Sequence, residues 1–136
     1  MANMIPYLHF NGTCREAMGF YQRCLGGDLV MQSFGEVPGG DQMPAEARDN
    51  IMHAMLTSGA VTLFGADSMP GSDVAPHGPV SLALTSEDKG EIRGYFEKLS
   101  EGGTIAQPLE EAFFGLYGEI VDRFGVRWMF QGGQAA

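Results

Sequence analysis

The sequence predicts an α+β fold made of two βαβββ modules, whose curved sheets surround a cleft and carry their helices on the outside. A strand and an amphipathic helix near the start of the chain recur in its second half, and both helices end at a pair of glycines. Each module alone leaves one sheet face uncovered, so we expect the two to share that burial. The 136 residues suit one compact domain, with the modules at about residues 4–66 and 79–131.

The first module begins with a predicted strand over residues 5–10, followed by a helix. Thr13 and Glu16 have the spacing of a capping box, in which the threonine side chain accepts a hydrogen bond from the backbone at the helix start. The apolar helix residues recur at i, i+3, i+4 and i+7 and form one stripe: Ala17, Phe20, Tyr21 and Cys24. Glycines at 26 and 27 then end the helix.

A strand over residues 29–34, a loop over 38–48 and a hairpin complete the first module. The loop is long for a small domain, and both a binding loop and a plain connector fit its composition. The hairpin pairs residues 51–57 with 60–64 around Ser58 and Gly59. Residues 69–79 are rich in glycine and proline, which predicts a linker, and we expect His77 within it to face solvent.

The second module repeats this pattern. Residues 80–85 predict its first strand, and residues 116–121 and 126–130 predict its final hairpin. The stripe of the second helix has the same spacing as the first: Ile92, Tyr95, Phe96 and Leu99. Glycines at 102 and 103 end this helix, and we expect Trp128 on the core side of the last strand.

Composition excludes several classes of function. The formal net charge of −9 disfavours nucleic acid and anionic membrane surfaces as partners. No apolar run approaches the roughly 20 residues that span a bilayer, and we expect a cytoplasmic protein. Cys14 and Cys24 lack the spacing of a metal or redox motif, so we expect reduced thiols without a catalytic role.

Strand alternation selects the residues that face the cleft. In the first strand it predicts that Tyr7 and His9 face the cleft, and in the first strand of the second module it predicts the same for Ser81. In the strand over residues 116–121 the apolar Leu116 and Ile120 predict the helix-facing side, so the other side faces the cleft. That face carries Tyr117 and Glu119, whereas both faces around His53 are apolar, which leaves its direction open.

We predict His53 and Glu119 as candidate acid–base groups, and the ligand-binding candidates are Tyr7, His9, Ser81 and Tyr117. Each also has a purely structural interpretation. The histidines can be hydrogen-bonded or solvated, the tyrosines can be packing residues, and Glu119 can pair with Arg123 or Arg127.

Two segments, IPYLHFNGTCREAMGFYQRCLGG and FFGLYGEIVDRFGVRWMF, resemble the vicinal oxygen chelate superfamily and, within it, the PhnB-like branch. This superfamily includes the glyoxalase, bleomycin-resistance and extradiol dioxygenase proteins, and the resemblance covers nearly the whole chain. It implies paired βαβββ modules and a homodimer. Metal-using members take their ligands from the first and last strands of each module, at positions that correspond here to Ile5, Leu63, Ser81 and Met129. None of these is a common ligand for a divalent ion, so we expect no metal and no other cofactor.

The sequence therefore predicts a metal-independent protein that binds a small organic ligand in the cleft. Whether it is an enzyme stays open. One alternative is an isomerase, lyase or dioxygenase that uses His53 or Glu119, and a less favoured one is a metal-dependent glyoxalase-like activity. Members of the branch also carry the label demethylubiquinone methyltransferase, but the repeated module does not resemble the doubly wound sheet with its Gly-rich loop.

Overall fold

The computed structural model describes residues 2–59, 61–69 and 80–133. The elements in these ranges, in chain order, are β1 (Tyr7–Phe10), α1 (Cys14–Leu25), β2 (Asp28–Ser33), α2 (Ala45–Arg48), β3 (Ile51–Ser58), β4 (Val61–Asp67), β5 (Leu82–Ser86), α3 (Lys89–Ser100), β6 (Thr104–Ala112), β7 (Gly115–Val121) and β8 (Arg127–Gly132). The described residues divide into two compact units, one with β1 to β4 and the other with β5 to β8.

Both units have the same topology. The first sheet has the strand order β1-β4-β3-β2, and the second has the order β5-β8-β7-β6. In each sheet the first and last strands of the unit pair in parallel, while the other neighbours are antiparallel. This arrangement confirms an α+β fold of two βαβββ modules.

Helix α1 covers one face of the first sheet. Its predicted stripe, Ala17, Phe20, Tyr21 and Cys24, is buried throughout. A Cβ atom placed on Gly65 of β4 would lie 2.9 Å from Met18 Sδ, so glycine at this point lets the helix approach the strand closely. The opposite face of the sheet is called the helix-free face below.

The start of α1 is capped differently from the prediction. Thr13 is the residue before the helix, but its side chain makes no capping hydrogen bond, so the predicted capping box is wrong. The carboxylate of Asp67, at the end of β4, replaces it. Its Oδ1 accepts from the backbone N–H groups of Gly12 and Cys14, at 2.9 Å each, and its Oδ2 accepts from Ile51 N at 2.8 Å. A negative charge beside these N–H groups also complements the helix dipole.

The loop predicted over residues 38–48 contains ordered turns. A 3₁₀ turn spans Gly40–Gln42, and α2 follows it. The guanidinium of Arg48 donates to the carbonyl oxygens of Met43 and Asp41, at 3.0 and 2.9 Å, which ties the end of the segment back to its middle. The first hairpin forms as predicted, and β4 extends further, to Asp67. Residue 60 of that hairpin, and residues 70–79 with His77, lie outside the described residues.

Helix α3 covers one face of the second sheet. Ile92, Phe96 and Leu99 are buried, and Tyr95 is half-buried. Trp128 is 2% exposed and donates from Nε1 to Asp122 Oδ2 at 2.8 Å, which confirms its predicted core position.

The βαβββ module predicts a strand directly after its helix, but the sequence did not indicate the residues that form it, which are those of β6. Strand β6 forms an edge of its sheet, most of its residues are exposed, and it contains Pro108. An edge strand of this kind lacks the apolar alternation from which strands are recognised, and proline is tolerated there.

We expect Asp67→Asn to destabilise the protein by about 2–3 kcal/mol, because an amide can replace only part of a buried carboxylate that accepts three backbone hydrogen bonds. Urea unfolding followed by far-UV circular dichroism measures the change. Asp28→Asn, at an exposed position of β2, is the matched control and should change stability by less than about 0.5 kcal/mol. Equal losses in both variants would contradict the role assigned to Asp67.

Candidate functional site

The helix-free face of the first sheet carries the residues that alternation selected. In β1, Leu8 and Phe10 point towards the core, whereas Tyr7 and His9 are exposed on the helix-free face. His53 of β3, whose direction was open, lies on the same face, because its ring contacts those of Tyr7 and Phe64. The structure therefore brings together three of the predicted candidates and adds Phe64.

The middle of this face is an apolar row that crosses all four strands. Its members lie directly opposite one another in the sheet: Val30, Met55, Phe64 and Tyr7. Val30 is 62% exposed and Tyr7 is 44% exposed, which is unusual for a row of this composition. Polar groups border the row on both sides: Asp28, Thr57 and Thr62 on one, and Gln32, His53 and His9 on the other.

Four of these side chains form an aromatic cluster, defined as Tyr7, His9, His53 and Phe64. The rings of Tyr7 and His9 stack with centroids 4.7 Å apart and planes at 13°. The ring of Phe64 meets His53 edge to face at 4.9 Å. Tyr7 Oη lies 3.3 Å from His53 Nδ1, and the phenol donates when that nitrogen is unprotonated. The cluster thus combines flat apolar surface with hydrogen-bonding groups.

The second sheet also has a helix-free face, opposite the face that α3 covers, and its side chains differ in chemistry from those of the first sheet. Leu116 and Ile120 are buried, which turns Tyr117 and Glu119 to the helix-free face as predicted. Tyr117 Oη donates to Glu119 Oε2 at 2.5 Å. This hydrogen bond, with smaller contributions from burial and from the negative charge of Glu119, raises the pKa of Tyr117.

Glu119 does not pair with either predicted arginine among the described residues. Arg123 instead binds Glu101, with 3.3 Å between Nη2 and Oε1. The ring of Phe114 meets that of Tyr117 edge to face at 5.6 Å. Ser81, the remaining candidate, is exposed and immediately precedes β5.

The positions that would hold a metal need one correction. Leu63 is buried and shares a face with Gly65, which contacts α1, so it does not face the ligand side as predicted. Phe64 takes that place, because its ring contacts Tyr7. Neither residue is a metal ligand, and no group of three or more His, Cys, Asp or Glu in the described ranges is arranged to hold an ion. These side chains do not fit the metal site that the superfamily resemblance implies.

The sequence predicted that Leu63 faces the ligand side, and it therefore missed Phe64, which lies there instead. Both faces of β4 are apolar, so alternation alone could not tell which residues face the helix.

Comparison with known proteins identifies the family. Residues 2–131 match the family described as 3-demethylubiquinone-9 3-methyltransferase. The chain belongs to this family. It is 34% identical over 134 residues to protein YjdN of Escherichia coli, with 91% of this chain and 90% of YjdN covered. Together, these two matches assign the chain to the PhnB-like branch of the vicinal oxygen chelate superfamily.

Solved structures of similar proteins have the same fold. Protein PA1353 from Pseudomonas aeruginosa is 38% identical, with a TM-score of 0.88 and 98% and 99% of the two chains covered. The PhnB protein from Bacillus cereus, for which a 3-demethylubiquinone-9 3-methyltransferase activity has been suggested, is 27% identical, with a TM-score of 0.75 and coverage of 96% and 99%. A glyoxalase-related enzyme from Fulvimarina pelagi shares the fold at 16% identity and a TM-score of 0.63, with coverage of 96% and 88%.

The helices and cysteines add two further findings. No helix in the described ranges is long and apolar enough to cross a membrane. Cys14 and Cys24 are not joined in a disulfide, and both are buried. Burial, followed by the negative charge of Asp67, raises the pKa of the Cys14 thiol to about 12. Since the thiolate is the nucleophile, Cys14 is unsuited to covalent catalysis.

We expect Cys14 to resist iodoacetamide in the folded protein at pH 8, because a pKa of about 12 leaves on the order of one thiol in ten thousand ionised. Mass spectrometry of native and urea-denatured samples measures this, and the denatured chain should be alkylated at both cysteines. The pKa of Cys14 is higher in the folded chain than in the unfolded chain, so the protonated thiol contributes to the stability of the fold. This contribution is complete below the ordinary thiol pKa of 9.0 and is lost as the pH rises to about 12. Equal alkylation rates in the two samples would contradict this assignment.

Proposed function

We propose that this protein binds a small, planar organic molecule on the helix-free face of its first sheet, without a metal ion. The observation that carries the proposal is the apolar row across four strands, which ends in the aromatic cluster of Tyr7, His9, His53 and Phe64. Small-molecule sites are mostly apolar and contain a few polar groups that fix the orientation of the ligand. This face has that composition.

The stacked rings favour a flat ligand. Aromatic pairs contribute about 0.5–1.5 kcal/mol beyond the burial of their surface, and Tyr7 and Phe64 already meet edge to face at 5.7 Å. His53 and the Tyr7 hydroxyl supply hydrogen-bonding groups at the margin of the row. The net charge of −9 disfavours an anionic ligand, so we propose a neutral or cationic one.

Proton transfer is a second candidate function. The contact between Tyr7 Oη and His53 Nδ1 places a histidine and a phenol in hydrogen-bond reach of each other on the proposed binding face. General acid–base catalysis needs a titratable group at such a distance from the reacting atom. An isomerase or lyase reaction that moves a proton through His53 would use this arrangement.

Methyl transfer, which the description of the family names, is not the function that this geometry favours. Each unit has a mixed four-stranded sheet in which only the first and last strands are parallel. This differs from the doubly wound parallel sheet in which a Gly-rich loop leads into a helix at a nucleotide site.

We expect 2-naphthol, a neutral planar molecule, to shift the imidazole NMR signals of His9 and His53 in a saturable titration. Phe64→Leu should weaken binding about two- to tenfold, because it removes the ring that contacts both Tyr7 and His53. Phe113→Leu is the matched control, since Phe113 is 98% exposed and lies outside the first sheet. Shifts that grow linearly without saturation, or an equal loss in both variants, would count against the proposal.

We expect tag-free protein, purified without chelators, to contain less than one divalent ion per chain by elemental analysis. A site-specific divalent ion, present at a concentration about 100 times its dissociation constant, would add about 2.7 kcal/mol to the free energy of unfolding and raise the melting temperature by several degrees. Zinc, manganese and magnesium should produce no such rise in a thermal-shift titration. A stoichiometric ion with a clear rise would overturn the metal-independent proposal and would make His9 and His53 candidate ligands.

A further inference from the structure

We propose that the helix-free face of the second sheet holds a site for a small organic cation, with Glu119 as its anionic group and the rings of Tyr117 and Phe114 as its apolar wall. The proposal concerns other residues than the site on the first sheet and does not depend on it.

Glu119 is a half-buried carboxylate without a cationic partner. It lies opposite Gln107 on β6 and Met129 on β8, and both are neutral. Tyr117 binds its Oε2, whereas Oε1 receives no hydrogen bond from the described residues. Arg127 lies on the same face, in the next row, and forms no ion pair with Glu119 in the part of the chain described. A half-buried negative charge in this state favours a cationic ligand.

The hydroxyl of Tyr117 holds this carboxylate in place. Its 2.5 Å hydrogen bond joins two side chains two residues apart on one strand, so the carboxylate has a defined position beside the tyrosine ring. The ring of Phe114 stands at 73° to that of Tyr117. Aromatic faces attract cations, and organic ammonium groups are commonly bound by rings set at an angle to each other.

The first module shows that this carboxylate is not needed for the fold. In the first sheet, Met55 lies opposite Phe64, which pairs with Tyr7. In the second sheet, Glu119 lies opposite Met129, which pairs with Ala83. The same topology therefore accommodates a methionine at the place of Glu119. Ala83, at the place of Tyr7, also leaves room beside Met129 where the first sheet has a ring.

The probes that test the site are phenethylammonium and its neutral analogue 2-phenylethanol. Titrations followed by the NMR signals of Tyr117, Phe114 and the Met129 methyl group should show saturable binding, with the cation bound about tenfold more tightly than the alcohol. Glu119→Gln should abolish this preference by weakening the binding of the cation. Tyr117→Phe should reduce the preference, because the carboxylate loses the group that positions it.

Glu97→Gln is the matched control, because it removes the same charge from an exposed position of α3. It should keep the full preference for the cation, and Trp128 fluorescence checks that every variant is folded. Equal affinities of the two probes for the unmodified protein would overturn the proposal without any variant. An equal loss in Glu97→Gln, or shifts confined to His9 and His53 of the first sheet, would also overturn it. The first-sheet site is tested by another probe and other signals, so either proposal can fail alone.

Discussion

The buried carboxylate of Asp67 accepts hydrogen bonds from backbone N–H groups in the turn before α1, at the first residue of α1 and at the first residue of β3. Without this carboxylate, the three backbone N–H groups would lack an acceptor at the edge of the core, and a buried donor without a hydrogen bond destabilises the fold. Asp67 also pairs with Phe10 in the parallel ladder between β1 and β4. The three strands that carry the aromatic cluster are therefore held in register around one side chain.

The second module reaches the same topology with other polar contacts. Asp88 caps α3 with its own side chain, which accepts from Gly90 N at 2.9 Å and Glu91 N at 3.2 Å. Asp122 instead organises the turn between β7 and β8, where it accepts from two backbone N–H groups and from Trp128. A duplicated topology thus tolerates different local solutions, provided that each buried donor finds an acceptor.

The two helix-free faces carry different side chains although the two sheets share one topology. One presents an apolar row beside two imidazoles. The other presents Glu119 and Tyr117, which lie opposite Gln107, Glu110, Met129 and Gln131. The core residues are constrained by packing against α1 and α3, whereas the opposite faces are not. Membership of the family accordingly establishes the fold, while a function has to be argued from the side chains that these faces carry.

The sequence by itself determined the features that depend on local periodicity. The helix stripes, the glycine pairs and the faces of Tyr7, His9, Tyr117 and Glu119 follow from spacing along a regular element. Tertiary structure decided the direction in which His53 points, the placement of Phe64 rather than Leu63 on the helix-free face, and the group that caps α1. In the last case the carboxylate lies 53 residues beyond the N–H of Cys14. Such contacts exist only after the strands have paired, and where both faces of a strand are apolar, no local pattern indicates which side the helix will cover.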